Sequence, residues 1–211
     1  MHLKSKQGAL KPAHCKALQH AWVQAAQDGY PLNAFISIRS VGDLLSPFDH
    51  VDRLNKFWNC LGVWSRRTTL RAYGEKTFHC ILTREAAPNG KKFGVGEHFH
   101  ALVHVPAGRL DSLRDAITRW HPAPGEAVIK AAKYDVNWSS QGKIRSALGY
   151  ITKQRTPQAA WCTNYAYKPG GIVLGKRFRL TANLRIKSQR VTITGPLRRV
   201  ANSPRSRSFR R

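Results

Sequence analysis

The stretch GEHFHALVHVP, from Gly96 to Pro106, indicates the fold and carries the residues with the most specific chemistry. Its apolar residues are β-formers and Pro106 ends the run, so we predict a strand over about residues 97–105. Side chains two residues apart point to the same side of a strand, which places the imidazoles of His98 and His100 next to each other. Two neighbouring imidazoles can bind one divalent metal ion.

A carboxylate from a neighbouring strand can complete this metal site. Residues 76–84 form a second strand candidate, and the turn residues at 88–92 predict a hairpin with the histidine strand. Glu85 ends the first of these strands, within reach of an ion about 5 Å away on the next strand. Glu97 competes for this role, but as the direct neighbour of His98 it should point to the opposite face. We therefore predict the ligands His98, His100 and Glu85, around Mg²⁺ or Mn²⁺.

A second segment, ALGYITKQ at 147–154, supplies a candidate nucleophile. We predict a helix over about 141–154, in which Tyr150 and Lys153 are three residues apart and share a face. Tyrosine is a poor nucleophile unless its phenolate is favoured, which a neighbouring ammonium and a metal-polarised phosphate can do. Attack on a phosphodiester would make Tyr150 a phosphotyrosine, with Lys153 holding the phosphate or orienting the phenolate. The structural alternative is a tyrosine packed in the core.

The charge of the chain indicates a polyanionic partner. The 211 residues include 36 Lys and Arg against 11 Asp and Glu, a net charge of +25, and we expect nucleic acid rather than a membrane. Residues 127–211 carry 19 basic residues and one acid, so they are the main electrostatic footprint. No run of about 18 apolar residues and no signal-peptide pattern is present, which favours a cytoplasmic protein. Four cysteines without a Cys-x-x-Cys pair give little support to a zinc site or a disulfide framework.

Phosphate contacts are expected from exposed basic residues, which supply affinity without reading sequence. Three tryptophans, Trp64, Trp138 and Trp161, could stack on unpaired bases, although packing in the core is their commoner role. The predicted DNA-binding residues are Arg66, Arg67, Arg71, Lys91, Lys92, Lys176, Arg177 and Arg179.

The remaining pattern alternates helix and strand candidates and predicts an α+β fold with a largely antiparallel sheet. The predicted helices span 12–27, Pro47 to about Cys60, and Gly108 to Trp120. Further strands are expected at 32–40 and within 126–138. The segment 172–190 is expected to be helical or irregular. We divide the chain into an N-terminal helical extension (1–30), a catalytic domain (31–155), a basic extension (156–193) and a disordered Arg/Ser-rich tail (194–211).

With both segments in view, the chain resembles the HUH endonucleases, specifically the replication initiators of rolling-circle plasmids and phages. The resemblance covers about residues 30–155 and rests on three ordered motifs: the strand at 32–40, His98-Phe99-His100, and Tyr150-Ile151-Thr152-Lys153. It implies a central antiparallel sheet of about five strands with flanking helices. It also implies a Mg²⁺ or Mn²⁺ ion and a 5′-phosphotyrosyl intermediate on single-stranded DNA at a replication origin. An acidic third ligand from the preceding strand agrees with Glu85.

Two features limit this resemblance. The motif has a single tyrosine, with Gln154 where two-tyrosine members continue toward another tyrosine, so termination needs a second mechanism or a second subunit. No phosphate-binding Gly-x-x-x-x-Gly-Lys-Ser/Thr loop is present, so a host helicase would unwind the duplex. A transposase or a relaxase with the same chemistry is one alternative function. A basic DNA-binding protein without catalysis is another.

Overall fold

The structure, a computed structural model, describes residues 6–39, 47–86, 97–120, 127–131, 143–159, 170–174 and 176–185. These residues form α1 (Pro12–Gln27), α2 (Pro47–Tyr73), α3 (Leu110–Trp120) and α4 (Lys143–Ile151). The strands are β1 (Lys6–Gln7), β2 (Ala34–Arg39), β3 (Cys80–Glu85), β4 (His98–Val103), β5 (Ala127–Ala131), β6 (Val173–Leu174) and β7 (Phe178–Leu180), and a 3-10 turn spans Ala182–Leu184.

The central sheet has five strands in the order β5-β2-β4-β3-β7, and every neighbouring pair is antiparallel. The predicted α+β fold is therefore confirmed. The histidine strand β4 lies in the middle of the sheet, between β2 and β3, so both of its edges are hydrogen-bonded. The short strands β1 and β6 pair with each other outside this sheet.

Helices cover both faces of the sheet, because side chains alternate between the faces along every strand. On one face, α1 and α4 pack against residues such as Ile81 and Leu102. On the other face, α2 and α3 pack against Ile36, Leu82 and Phe99. We call these the α1/α4 face and the α2/α3 face. The odd-numbered residues of β3 and the even-numbered residues of β4, including His98 and His100, point toward the α1/α4 face.

Helix α2 is longer than its sequence pattern indicates, and the prediction that it ends near Cys60 is wrong. Its buried face continues past that point through Leu61, Ser65 and Thr69. The Thr69 hydroxyl donates to the Ser65 carbonyl one turn earlier (3.0 Å), so its polar group is satisfied inside the helix. Small hydroxyl residues thus replace aliphatic ones on the packed face, and the hydrophobic spacing that marks a helix becomes hard to recognise.

Strand β7 lies in the segment 172–190, for which helix or irregular structure was expected. It pairs with the outer edge of β3, and Leu180 joins the core of the α1/α4 face. The sheet and its core therefore draw on chain outside 31–155, since α1 also packs there. Three residues with an arginine between two apolar side chains are too short a pattern to identify a strand from sequence.

Several expectations concern residues outside the described ranges. Lys91, Lys92, Trp138 and Trp161 are among them, as is the tail 194–211. Within the described part of the chain, no helix combines the length and the apolar character needed to cross a membrane.

Candidate metal centre

The pairing of β3 with β4 brings the three predicted metal ligands together. Glu85 lies directly opposite His98, and Thr83 lies opposite His100. Glu85, His98 and His100 share one face of the sheet, and each offers a ligand atom within 4.8 Å of those of the other two. This group could hold a metal ion.

The buried carboxylate of Glu85 is the centre of this group. Its Oε2 lies 3.0 Å from His98 Nε2, 3.5 Å from His100 Nε2 and 2.7 Å from Lys153 Nζ. Glu85 and His100 are each only 1% exposed. These contacts have the distances of ion pairs but not the directions of hydrogen bonds. Among the described residues, both Glu85 oxygens and both His100 ring nitrogens therefore lack a hydrogen-bond partner.

Unsatisfied buried polar atoms are costly, and they concentrate here at donor atoms that suit a metal ion. Two imidazole nitrogens and one carboxylate oxygen form a mixed donor set that Mn²⁺ and other first-row divalent ions accept. A bound cation would use the lone pairs that the protein leaves without partners. The residues present therefore fit a metal ion.

The protonation states also suit metal binding. Burial raises the pKa of Glu85, but the close contacts with His100, His98 and Lys153 outweigh it and bring the pKa down to about 2. Burial lowers the pKa of His100, and the Glu85 carboxylate offsets only part of this shift. At neutral pH, Glu85 is thus a carboxylate and His100 a neutral imidazole, the forms that bind metals.

Glu97, the competing ligand, belongs to a different ion pair. Its Oε1 accepts a hydrogen bond from Nε of Arg84 at 2.7 Å, and a second contact joins it to Nη2 of the same guanidinium. Both side chains are almost fully buried. Because Arg84 precedes Glu85 on β3, this pair lies on the opposite face of the strand from the metal group, as the alternation of side chains predicts.

Helix α4 ends at Ile151, before the predicted end at about 154, so Tyr150 lies in the helix and Lys153 in the turn that follows it. Both residues lie over the Glu85, His98 and His100 group. The Tyr150 ring centroid lies 5.0 Å from that of His100 and 5.7 Å from that of Phe35. Lys153 Nζ lies 3.6 Å from the Tyr150 ring centroid while it also contacts Glu85. Tyr150 is 48% exposed, so this tyrosine is accessible to a substrate and is not a core residue.

Gln154 holds the segment after α4 against the end of β3, a role that sequence reasoning missed because no local pattern indicates it. Its side-chain amide donates to the Ala86 carbonyl (2.9 Å) and accepts from the Ala86 N–H (3.2 Å). Ala86 directly follows Glu85, and Gln154 directly follows Lys153. The two hydrogen bonds therefore keep the lysine next to the carboxylate. Gly170 approaches the Gln154 side chain so closely that an added Cβ would lie 2.5 Å from its Oε1.

Arg177, predicted to bind DNA, is instead buried behind the site. Its Nη1 donates to the Gln154 side chain (3.0 Å) and to the Arg84 carbonyl (3.1 Å), and its Nη2 donates to the Gly171 carbonyl. Burial lowers the pKa of its guanidinium to about 10, which leaves it charged at neutral pH. We therefore remove Arg177 from the DNA-binding set, because a guanidinium that is 1% exposed cannot reach a phosphate.

The other described residues of the predicted DNA-binding set lie either near β7 or on α2. Lys176 is exposed, whereas Arg179 is half-buried and donates to Asn55 Oδ1 at 2.5 Å. Arg66, Arg67 and Arg71 are exposed on α2, which covers the α2/α3 face. They therefore lie across the sheet from the metal group. Trp64 is half-buried against the α2/α3 core.

His104 is not a third histidine ligand. Its Nδ1 lies 2.9 Å from the Pro31 carbonyl oxygen, and its Nε2 lies 3.3 Å from the Tyr73 hydroxyl. It belongs to an aromatic cluster with Tyr30 and Tyr73. The described part of the chain therefore offers a two-histidine, one-carboxylate group.

Comparisons of the chain with protein-family models, with curated proteins and with solved structures found no match.

We expect Mn²⁺ to stabilise the protein through this group. A ligand present at 100 times its dissociation constant adds about 2.7 kcal/mol to the free energy of unfolding. The variant H98A/H100A should lose this Mn²⁺-dependent increase, whereas H20A, which removes an exposed histidine of α1, should keep it. Thermal unfolding with and without Mn²⁺ measures the effect. An undiminished increase in H98A/H100A would place Mn²⁺ elsewhere.

Acid should remove the stabilising effect of Glu85. Its pKa in the folded protein, about 2, is below the ordinary value of 4.5, so its contribution is complete above pH 4.5 and is lost as pH falls toward 2. Between pH 6 and pH 3 this loss is about 2 kcal/mol. In EDTA, the stability difference between the natural chain and E85Q should shrink by that amount over this range. Urea unfolding at each pH provides the measurement, and a constant difference would contradict the assignment.

A pair of adjacent substitutions tests the structural role of Arg177. The variant R177M leaves buried acceptors on Gln154, Arg84 and Gly171 without their donor and should lower the free energy of unfolding by about 3 kcal/mol. The variant K176M loses the same charge from an exposed side chain and should change it by less than about 0.5 kcal/mol. Equal effects in urea unfolding would show that Arg177 is not a structural centre.

Proposed function

We propose that the chain is a metal-dependent endonuclease that nicks and rejoins single-stranded origin DNA as a rolling-circle replication initiator of the HUH type. The observation that carries this proposal is the convergence of Tyr150, in α4, and Lys153, two residues past the end of α4, on the Glu85, His98 and His100 group of the sheet. These residues come from segments about fifty positions apart. Together they supply the groups that a phosphotyrosine mechanism needs: a tyrosine nucleophile, a cation and a candidate metal site.

In the proposed reaction, the phenolic oxygen of Tyr150 attacks the phosphorus of a DNA phosphodiester. The bond from phosphorus to O3′ breaks, and the proton given up by the phenol is balanced by the proton that O3′ takes up. The products are a 3′-hydroxyl end and a 5′-phosphotyrosine, which conserves the ester for rejoining. Attack by the same or another 3′-hydroxyl on the phosphotyrosine reverses the bond changes and releases Tyr150.

The exposure of Tyr150 and the position of Lys153 support these roles. The half-exposed phenol can meet a strand arriving from solvent. The Lys153 ammonium contacts both the Tyr150 ring and the Glu85 carboxylate, where its positive charge attracts a phosphate and stabilises negative charge that develops during the reaction. Glu85 and the two histidines would hold Mg²⁺ or Mn²⁺, and a metal ion there supplies Lewis-acid stabilisation of charge on the scissile phosphate.

The donor set favours Mn²⁺ over Mg²⁺ in direct binding. Mg²⁺ prefers oxygen ligands and keeps much of its water, whereas Mn²⁺ accepts imidazole nitrogen more readily. Two of the three protein donors are imidazoles. We therefore expect Mn²⁺ to bind more tightly, and Mg²⁺ to support the reaction at higher concentration.

The proposal also includes the partners and the cellular location of the protein. The partners would be a single-stranded replication origin and a host helicase, in the cytoplasm, since a single nuclease site does not itself unwind a duplex. With one tyrosine in the motif, a second subunit or a second round at Tyr150 would complete termination.

The decisive experiment detects the covalent intermediate. The protein is incubated with a pool of labelled single-stranded oligonucleotides and Mn²⁺, and adducts that survive denaturation are separated on a gel. We expect an adduct with the natural chain, none with Y150F, and formation about 100-fold slower with K153M, since removing one stabilising charge typically costs 10²–10³ in rate.

Tyr73 offers a matched control, because it is as exposed as Tyr150 (47% against 48%) and lies beside His104, away from the Glu85 group. The variant Y73F should form the adduct at the natural rate. DNA binding without any adduct across a broad pool would instead indicate a DNA-binding protein without catalysis. An adduct that persists in Y150F would assign the chemistry to another nucleophile.

A further inference from the structure

Helix α2 carries a row of exposed basic side chains along its outer surface. Arg53, Lys56, Arg66, Arg67 and Arg71 are all exposed. Their spacing places them on the half of the helix that points away from the core, because the buried positions of the same helix lie at Val51, Leu54, Phe57 and Leu61. We call these five residues the α2 basic row.

Within the part of the chain that the structure describes, no acidic side chain neutralises the α2 basic row. None of its five residues forms an ion pair with another described residue, and Asp52 is the only acid among residues 51–73. Helix α3, which lies on the same face of the sheet, differs. There Arg114 pairs with Asp111 at 2.5 Å, and a second acid, Asp115, follows. The charges of α3 thus balance, with two acidic and two basic residues, whereas α2 as a whole carries five Lys and Arg against two acids, Asp49 and Asp52.

The α2 basic row also lies on the opposite side of the sheet from Tyr150 and the metal group. Its helix packs on the α2/α3 face, and α4 packs on the α1/α4 face. A single strand of DNA bound at Tyr150 therefore does not pass along α2 unless it winds around the edge of the sheet. The row is better explained by a second segment of nucleic acid.

We propose that the α2 basic row binds the phosphate backbone of double-stranded DNA, separately from the single strand at Tyr150. From Arg53 to Arg71 the helix extends about 27 Å, so its five basic side chains are spread along one rigid element, over a length that spans several phosphates of a duplex. The site would hold the duplex next to the segment that is nicked. This duplex site would complement the proposed nicking activity, but it can be tested by DNA binding alone, without measuring that activity.

Two other anionic partners fit this surface less well. Single-stranded DNA is usually bound with exposed aromatic side chains, and between Arg53 and Arg71 the aromatic residues Phe57, Trp58 and Trp64 are buried or half-buried. A membrane surface requires an apolar helix face to insert, and α2 uses its apolar face in the protein core. Along the row the exposed large apolar side chains are Val63 and Leu70, which are too few to form an apolar face that could insert into a membrane.

The test measures binding of a labelled 25-base-pair duplex of arbitrary sequence at several salt concentrations in EDTA, where no metal-dependent cleavage occurs. Each lost phosphate contact lowers the slope of log affinity against log salt by about 0.9. The variant R66Q/R67Q/R71Q should therefore lower the slope by up to about 2.7 and weaken binding at least tenfold. The variant R53Q/K56Q, at the other end of the row, should lower it by up to about 1.8.

The variant R109Q/R114Q/R119Q is the control, because it removes the same charge from exposed positions at and along α3. It should keep most of the duplex affinity. Equal weakening by both triple variants would overturn the proposal, since net charge alone would then explain the binding. The proposal would also be overturned if R66Q/R67Q/R71Q weakened binding to single-stranded DNA more than binding to the duplex, which would favour single-stranded DNA as the partner. It would likewise be overturned if this variant weakened binding to phosphatidylserine vesicles but not to DNA, which would favour a membrane.

The adduct assay distinguishes this proposal from the proposed function. R66Q/R67Q/R71Q should still form the Tyr150 adduct on short single-stranded oligonucleotides, and Y150F should still bind the duplex. Loss of adduct in the α2 variant would show that α2 forms part of the single-strand path, and the separate duplex site would be rejected.

Discussion

Burial of the Glu85 carboxylate is the constraint on which the rest of the site depends. A carboxylate that is 1% exposed needs compensating contacts, and they come from two different segments: the ammonium of Lys153, which follows α4, supplies the opposite charge, and the imidazoles of β4 lie within 3.5 Å of the same oxygen. The same charge that ties the segments together attracts a cation. Metal binding at this group would therefore use the same atoms that stabilise the fold.

This arrangement requires precise relative placement of β3, β4 and α4, and the fold provides it in two ways. The β3–β4 register sets Glu85 opposite His98. The Gln154 side chain, hydrogen-bonded to both polar groups of the Ala86 backbone, fixes the residue after Lys153 to the residue after Glu85. Arg177 donates a hydrogen bond to the Gln154 side chain and so supports this placement, which gives the buried guanidinium a structural role.

The sequence predicted that Glu85, His98 and His100 come together because local rules determine their placement. Alternation along a strand places His98 and His100 together, and a hairpin places Glu85 beside them. Tyr150 and Lys153 were predicted to share a helix face, but α4 ends at Ile151 and Lys153 lies in the following turn. The position of both residues over the histidines depends on how this segment packs, which no local pattern states. Gln154, Arg177 and β7 escaped prediction for the same reason, since their partners are distant in sequence and long-range packing alone defines them.

The position of α2 changes the meaning of its arginines. As a sequence, Arg66, Arg67 and Arg71 belong to one pool of positive charge together with the residues near Tyr150. In the fold, the sheet separates the two groups: the strands direct alternate side chains to opposite faces, and α2 and α4 pack on different ones. A charge of +25 is then not one diffuse attraction. It is divided between surfaces, and under the two proposals each surface would hold a different part of a DNA molecule.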